Sequence, residues 1–245
     1  MDLVAGKSSQ PLEEWSSPHE LGEPRSRFID FAYFGAYNYP SIKVGRRLLR
    51  ILGICGSPRK EGNTEVLLKE ALRGAREAGA EVEEIFLRNK TISPCLEIYG
   101  CKEDGRCVIE DDFHEVAEKM VRADALIVAS PIFFYAVSAH TKMLMDRCQS
   151  FWVKRYLLKM PIAPGRSRRK GAFISVGATR GKRLFEGVIL TVRYFFDALD
   201  IDLSDTLLVR GVDEKGEIFD HPEEIRAAYE LGRRLVTAKK GDVHT

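Results

Sequence analysis

The densest reactive stretch of the chain is residues 95–107, CLEIYGCKEDGRC. It holds three of the five cysteines, Cys95, Cys101 and Cys107, at an even C-x5-C-x5-C spacing. Thiols this close together in a short polar loop point to metal or redox chemistry, because the thiolate is both a soft-metal ligand and the nucleophilic form of cysteine. Three is one fewer than the four ligands that a structural zinc or an iron–sulfur cluster normally takes. The residues alone leave open a working cluster, a zinc held by three thiolates and a water, and free thiols in a surface loop. Cys55 and Cys148 fall in apolar patterns and read as core packing. His114, His140 and His221 show no spacing that suggests a metal.

A second constellation is GSPRKEGNT, residues 56–64, between an apolar run and a helical pattern. It is neither a G-x-G-x-x-G fingerprint nor a Walker A loop. Its residue types nevertheless suit a phosphate monoester. Ser57, Asn63 and Thr64 offer neutral donors, Arg59 a charge, and the helix start its free N–H groups. A third is SPIFFY, residues 130–135, where Pro131, Ile132, Phe133 and Phe134 end an apolar run. Such a platform can stack on a flat ring, or fill a subunit interface. A weaker fourth signal is SVGATRGK, residues 175–182, with Gly177, Thr179 and Arg180. No nucleophile–base constellation emerges, so no acid or base residue is expected to be essential.

These loops need elements to position them. Buried strands are predicted at 48–55, 81–87, 124–130, 171–177 and 205–209. Helices are predicted at 63–80 (capped by Asn63 or Thr64), 111–123, 138–152, 184–200 and 222–236. Alternating strands and helices predict an α/β fold with a doubly wound, five-stranded parallel sheet, for which the commonest order is the flavodoxin-like 2-1-3-4-5. In that order a ligand sits beyond the carboxyl ends of strands one and three, where the winding reverses. The loops after Cys55 and Ser130 are the two at that point.

The chain divides into an extension over 1–45 and a main domain over 46–240. Residues 1–27 are polar and without periodicity, whereas 28–39 carry Phe28, Phe31, Tyr33, Phe34, Tyr37 and Tyr39. Rings this dense rarely stay in water, so an arm docking on its own domain or on a second subunit is expected. The net charge of +2 argues against a nucleic-acid binder. The longest apolar run, 125–139, is too short for a membrane span and is broken by Pro131, and the opening lacks a signal-like core. A cytoplasmic location is the expectation. From Arg147 to Phe185 there is no acid, and the cluster Arg166, Arg168, Arg169 and Lys170 is expected to attract an NADPH phosphate or an acidic partner such as ferredoxin.

The segments GICGSPRKEGNTEVLL, SPIFFYAVSAHTKMLMDR and the intervening ISPC…C…CVIEDDF resemble the NADPH-dependent FMN reductase superfamily and, within it, the iron–sulfur flavoproteins. The resemblance covers residues 50 to 235. It implies bound FMN, with its phosphate on Ser57, Arg59, Asn63 and Thr64 and its ring against Pro131, Ile132, Phe133 and Phe134. It also implies that Gly177 and Thr179 reach the ring, and that the protein is a homodimer or homotetramer. One departure is Tyr135, where a small residue is usual; its ring narrows the open face of the flavin. Another lies in the cysteine loop. The iron–sulfur flavoprotein pattern C-x2-C-x2-C, followed by a fourth Cys, places Cys95 first, Cys101 third and Cys107 fourth, with Ile98 at the second position. The frame is kept and one ligand is lost, with Glu97 and Tyr99 flanking the gap. Three functions follow as expectations. They are an FMN-dependent NAD(P)H oxidoreductase acting on a flavin, quinone or similar small acceptor, an iron–sulfur flavoprotein carrying electrons from a ferredoxin-type donor through a 4Fe–4S or other cluster, and a non-catalytic FMN-binding sensor or assembly protein.

Overall fold

The computed structural model of the protein describes residues 47–237. The extension over 1–45 and its aromatic arm lie outside the described residues. In chain order the elements are β1 (Arg50–Cys55), α1 (Asn63–Glu77), β2 (Glu81–Phe86), α2 (Cys101–Asp104), α3 (Phe113–Arg122), β3 (Ala125–Phe133), β4 (Ala136–Val137), α4 (Ala139–Arg147), α5 (Gln149–Trp152), β5 (Arg169–Gly177), α6 (Glu186–Ala198), β6 (Ile201–Arg210) and α7 (Pro222–Thr237).

The sheet runs β2-β1-β3-β5-β6, every neighbouring pair parallel. Taken in chain order, these five strands have the expected 2-1-3-4-5 winding. The sixth, β4, was not foreseen: it is a two-residue strand that folds back antiparallel on the end of β3 through Phe134 and Tyr135. It escapes sequence reading because its turn lacks the Asn or Gly that usually marks a tight hairpin.

Side chains alternate across the central strands, so each face has its own core. Leu52, Ile54, Leu126, Val128 and Phe173 meet α3, α4 and α6 on one side. Ile51, Cys55, Ile127, Ala129 and Ile174 meet α1 and α7 on the other. Near-continuous apolar strands are what burial on both faces requires. Burial pushes the Cys55 thiol up to about 11 and the Cys148 thiol further still, so both are inert core residues, as expected.

Two helix readings need correction. The helix predicted over 138–152 breaks at Cys148 into α4 and α5 and then widens into a single π turn over Val153–Leu157. Asn63 and Thr64 do not cap α1; both lie inside its first turn, buried, with Gly62 at the cap position. The free N–H of Glu61 is taken instead by the Glu65 carboxylate at 2.8 Å. Burial opposes ionisation of Glu65, but hydrogen bonds from Lys69 and the Glu61 N–H, together with the charge of Arg88, hold its carboxyl below the usual range.

Candidate functional site

At the carboxyl ends of β1, β3 and β5 lies a cavity of about 180 Å³. Ser57, Arg59, Asn63 and Thr64 line it from the first loop, and Pro131, Ile132 and Phe133 from the second. The first turn of α1 opens here, where backbone N–H groups have no helical partner and the helix dipole is positive. The Glu65 negative charge near that turn is offset by Lys69 and Arg88, at 2.7 and 2.9 Å.

A chain of buried hydroxyls fixes the loops to one another. Ser138 donates to the Gly56 carbonyl at 2.6 Å, and its backbone N–H donates to Ser130 Oγ at 2.9 Å. Ser175 on β5 donates to the Ser130 carbonyl at 2.8 Å. Ser138 also caps α4, accepting from the Thr141 N–H. Gly56 is required by this packing, since a Cβ there would stand 1.7 Å from Thr141 Oγ1. Sequence reading missed the hydroxyl chain, although three serines at the ends of two strands and the start of a helix were its visible signal.

The residues within the cavity have distinct roles. Arg59 is pinned by a 2.7 Å hydrogen bond from Nη1 to the Asp213 carbonyl. The Asn63 amide is already engaged: Nδ2 donates to the Glu214 carbonyl, and Oδ1 accepts from the Gly216 and Ile218 N–H groups. Asn63 therefore ties the β6–α7 loop to α1 rather than offering its amide to a ligand. That loop contributes Val212 and Asp213 to the cavity wall, a contribution absent from the sequence reading. From the third loop it is Val176 and Ala178 that line the cavity; Gly177 and Thr179 alternate with them and do not. Phe134 points away, its ring fully exposed at 102%.

The cysteine loop forms a second cavity, of about 440 Å³, lined by Cys95, Cys101 and Cys107 together with Ile98, Tyr99, Trp152 and Leu157. Burial, and then the neighbouring Cys107 and Cys95, push the Cys101 thiol up. Glu97 and Tyr99 hold left-handed backbone angles, φ 51° and 65°. Arg147, the last residue of α4, reaches the loop from below, its side chain 0% exposed. Its Nε donates to Cys107 Sγ at 3.2 Å and Nη1 to the Asp111 carboxylate at 2.6 Å. Nη1 also donates to the Ser93 carbonyl and Nη2 to the Ile109 carbonyl, and its guanidinium lies over the Phe113 ring. The three thiols share a cavity without converging on a point. Among the described residues no three His, Cys, Asp or Glu side chains are grouped to hold one metal ion, so the zinc reading finds no support in the geometry.

The basic cluster lines neither cavity. Arg169 lies at the amino end of β5, the opposite edge of the sheet, and is buried against the carbonyls of Met120, Ala123 and Leu199. Arg166 bonds the carbonyls at the end of α3, and Arg168 pairs with Asp197 and Asp202. These charges hold helix ends and crossovers together, and with Lys170 they line a cavity of about 340 Å³ of their own. Among the described residues no helix is long and apolar enough to cross a membrane.

A doubly wound sheet with two loops converging at its winding reversal, one rich in phosphate-binding groups and one aromatic, is the architecture of a flavodoxin-like nucleotide-binding protein. The profile of the NADPH-dependent FMN reductase family matches residues 49–185, and the chain belongs to that family. Among curated proteins it is 42% identical over 132 residues to the iron–sulfur flavoprotein MJ1083 of Methanocaldococcus jannaschii, covering 54% of this chain and 64% of that one. It is 35% identical over 144 residues to an iron–sulfur flavoprotein of Archaeoglobus fulgidus, covering 57% and 73%. The chain thus spans just under two thirds of the M. jannaschii relative. Of solved structures, a flavone reductase shares the fold at TM-score 0.61 and 22% identity, covering 80% of this chain and 65% of its own. The NAD(P)H:quinone oxidoreductase from Methanothermobacter marburgensis does so at 0.59 and 17%, covering 79% and 98%.

Proposed function

We propose that the protein is an FMN-dependent oxidoreductase that takes electrons from a reduced nicotinamide and delivers them to a small flat acceptor such as a quinone or free flavin. The observation that carries this reading is the meeting of Ser57, Arg59 and Thr64 with Pro131, Ile132 and Phe133 in one cavity at the winding reversal. Those groups fit the cofactor's two ends. Ser57, Thr64 and the first-turn N–H groups of α1 would hold the phosphate, with Arg59 supplying the countercharge. Pro131, Ile132 and Phe133 would flank the ring and keep water from it. When bound, FMN supplies both hydride and single-electron chemistry. Exposed Phe134, Leu190 and Tyr194 support a homodimer or homotetramer as the working assembly.

A second reading, electron transfer from a ferredoxin-type carrier, is favoured by the cysteine loop. Cys95, Cys101 and Cys107 would ligate an iron–sulfur cluster in their shared cavity, and the Arg147 N–H on Cys107 Sγ is the kind of contact that orients a sulfur ligand. The names of the archaeal relatives support it.

Anaerobic purification, followed by a visible spectrum, an iron and acid-labile sulfide assay and steady-state turnover with NADH and NADPH, separates the readings. FMN with nicotinamide turnover is the expected result. Iron and sulfide in near-equal amounts would add the second reading. Failure to bind added FMN would contradict both.

A further inference from the structure

The β3–β4 hairpin turns on two residues, Phe134 and Tyr135, whose φ angles are 51° and 62°. A two-residue turn with both centres left-handed suits Asn-Gly or Gly-Gly, and bulky side chains resist it. Such outliers persist where the surroundings hold them, and they cluster at ligand clamps. The Phe134 ring gains nothing from packing, since it stands fully in solvent. Tyr135 differs. Its hydroxyl lies 3.6 Å from where a Cβ on Gly181 would stand, and its carbonyl oxygen 3.5 Å from where one on Gly187 would stand. Phe133 is the last residue of the second loop to line the cavity, and Ala178 belongs to its third-loop wall. The Tyr135 side chain, itself 56% exposed, therefore reaches from the hairpin toward the third loop beside the cavity.

We propose that Tyr135 is a specificity-determining residue: its ring reaches from the second loop toward the third and limits, by size, which flat acceptors approach the cavity from that side. The inference rests on the FMN oxidoreductase reading and deepens it. The strain at residue 135 is then explained by the ring it carries.

The test uses the full chain loaded with FMN, with Tyr135→Gly and Tyr135→Ala beside the parent. For each, kcat/KM is measured anaerobically with reduced nicotinamide for a one-ring benzoquinone and a two-ring naphthoquinone. Removing the ring should raise the two-ring to one-ring ratio about tenfold in both variants, the size of effect that pocket shape gives. Tm should rise only in Tyr135→Gly, because alanine keeps a Cβ in the left-handed region. A ratio within about twofold of the parent in both variants, with turnover intact, overturns the proposal while leaving the oxidoreductase reading in place. A ratio that rises for glycine but not for alanine also overturns it, since the backbone and not the ring would be the control. If the parent binds no FMN or turns over neither quinone, the reading fails and the proposal with it.

Discussion

The two cavities joined by α4 are built on opposite plans. At the start of that helix, Ser138 and Thr141 meet Gly56 in a network of neutral hydrogen bonds shared among three strand ends. At its other end one buried cation, Arg147, holds the cysteine loop through four separate partners. Nine helical residues at about 1.5 Å each set the spacing between the two. The first site is a property of the fold, since any sheet of this winding brings those loops together. The second leans on one buried cation, with Asp111 and Asp112 accepting from the Ser93 and Thr91 N–H groups at the loop's base, in a loop with left-handed angles at Glu97 and Tyr99. Mutation should therefore act very differently at the two ends of the helix.

The largest effect is expected at Arg147. Arg147→Met removes the cation from the buried Asp111 carboxylate, which keeps only its Ser93 and Phe113 N–H bonds, and takes the guanidinium donor from the Ser93 carbonyl, a loss of about 3–5 kcal/mol. The urea midpoint of the full chain would report it, and a loss under about 1 kcal/mol would show that the loop is held by something else. Next comes Gly56→Ala. With Thr141 Oγ1 only 1.7 Å from the new Cβ, the first loop and α4 must separate, costing about 1–3 kcal/mol. Unlike Arg147→Met, this change should weaken FMN affinity by about tenfold or more, because it moves the phosphate loop.

Acid provides a graded test of the charged end. Burial works against ionisation of Asp111, but the hydrogen bonds from Arg147 and from the Ser93 and Phe113 N–H groups outweigh it and hold the carboxyl below its ordinary 3.8. With the folded-state pKa depressed, the stabilisation is complete above the unfolded value and is lost as pH falls through the folded one. The urea midpoint should decline as pH falls below about 4, and Asp111→Asn should flatten that decline at the expense of stability near neutrality. The smallest effect is expected at Arg168. Its pairs with Asp197 and Asp202 are partly exposed, so Arg168→Ala should cost under about 1 kcal/mol. Steady-state kinetics should find the KM for NADPH within about twofold of the parent, since Arg168 lines neither cavity.

What the sequence made legible follows the same division. Strand–loop–helix alternation identified the sheet, its winding and the two converging loops, because each rests on local pattern. The roles that escaped depend on contacts between distant segments. Asn63 reads as a donor for a ligand until the loop of Glu214 to Ile218 is seen wrapped around its amide. Arg147 and Arg169 stand in a run of basic residues, and nothing next to them in sequence shows that one is buried on Asp111 and the other on helix-end carbonyls. Charge can be read from a sequence, but what neutralises it cannot. The β3–β4 hairpin was hidden for another reason, since Phe134 and Tyr135 occupy turn positions that their side chains disfavour.

The central claim is that the cavity at the winding reversal is built for a phosphate monoester carried on a flat ring. The measurement that tests it most directly is a comparison of FMN and riboflavin, which differ only by that phosphate, by fluorescence titration of the flavin-free protein. Two or more charge-assisted hydrogen bonds at about 1.5–3 kcal/mol each predict that riboflavin binds at least about a hundredfold more weakly. Equal affinity for the two would contradict the account and move the flavin's anchor away from Ser57, Arg59 and Thr64.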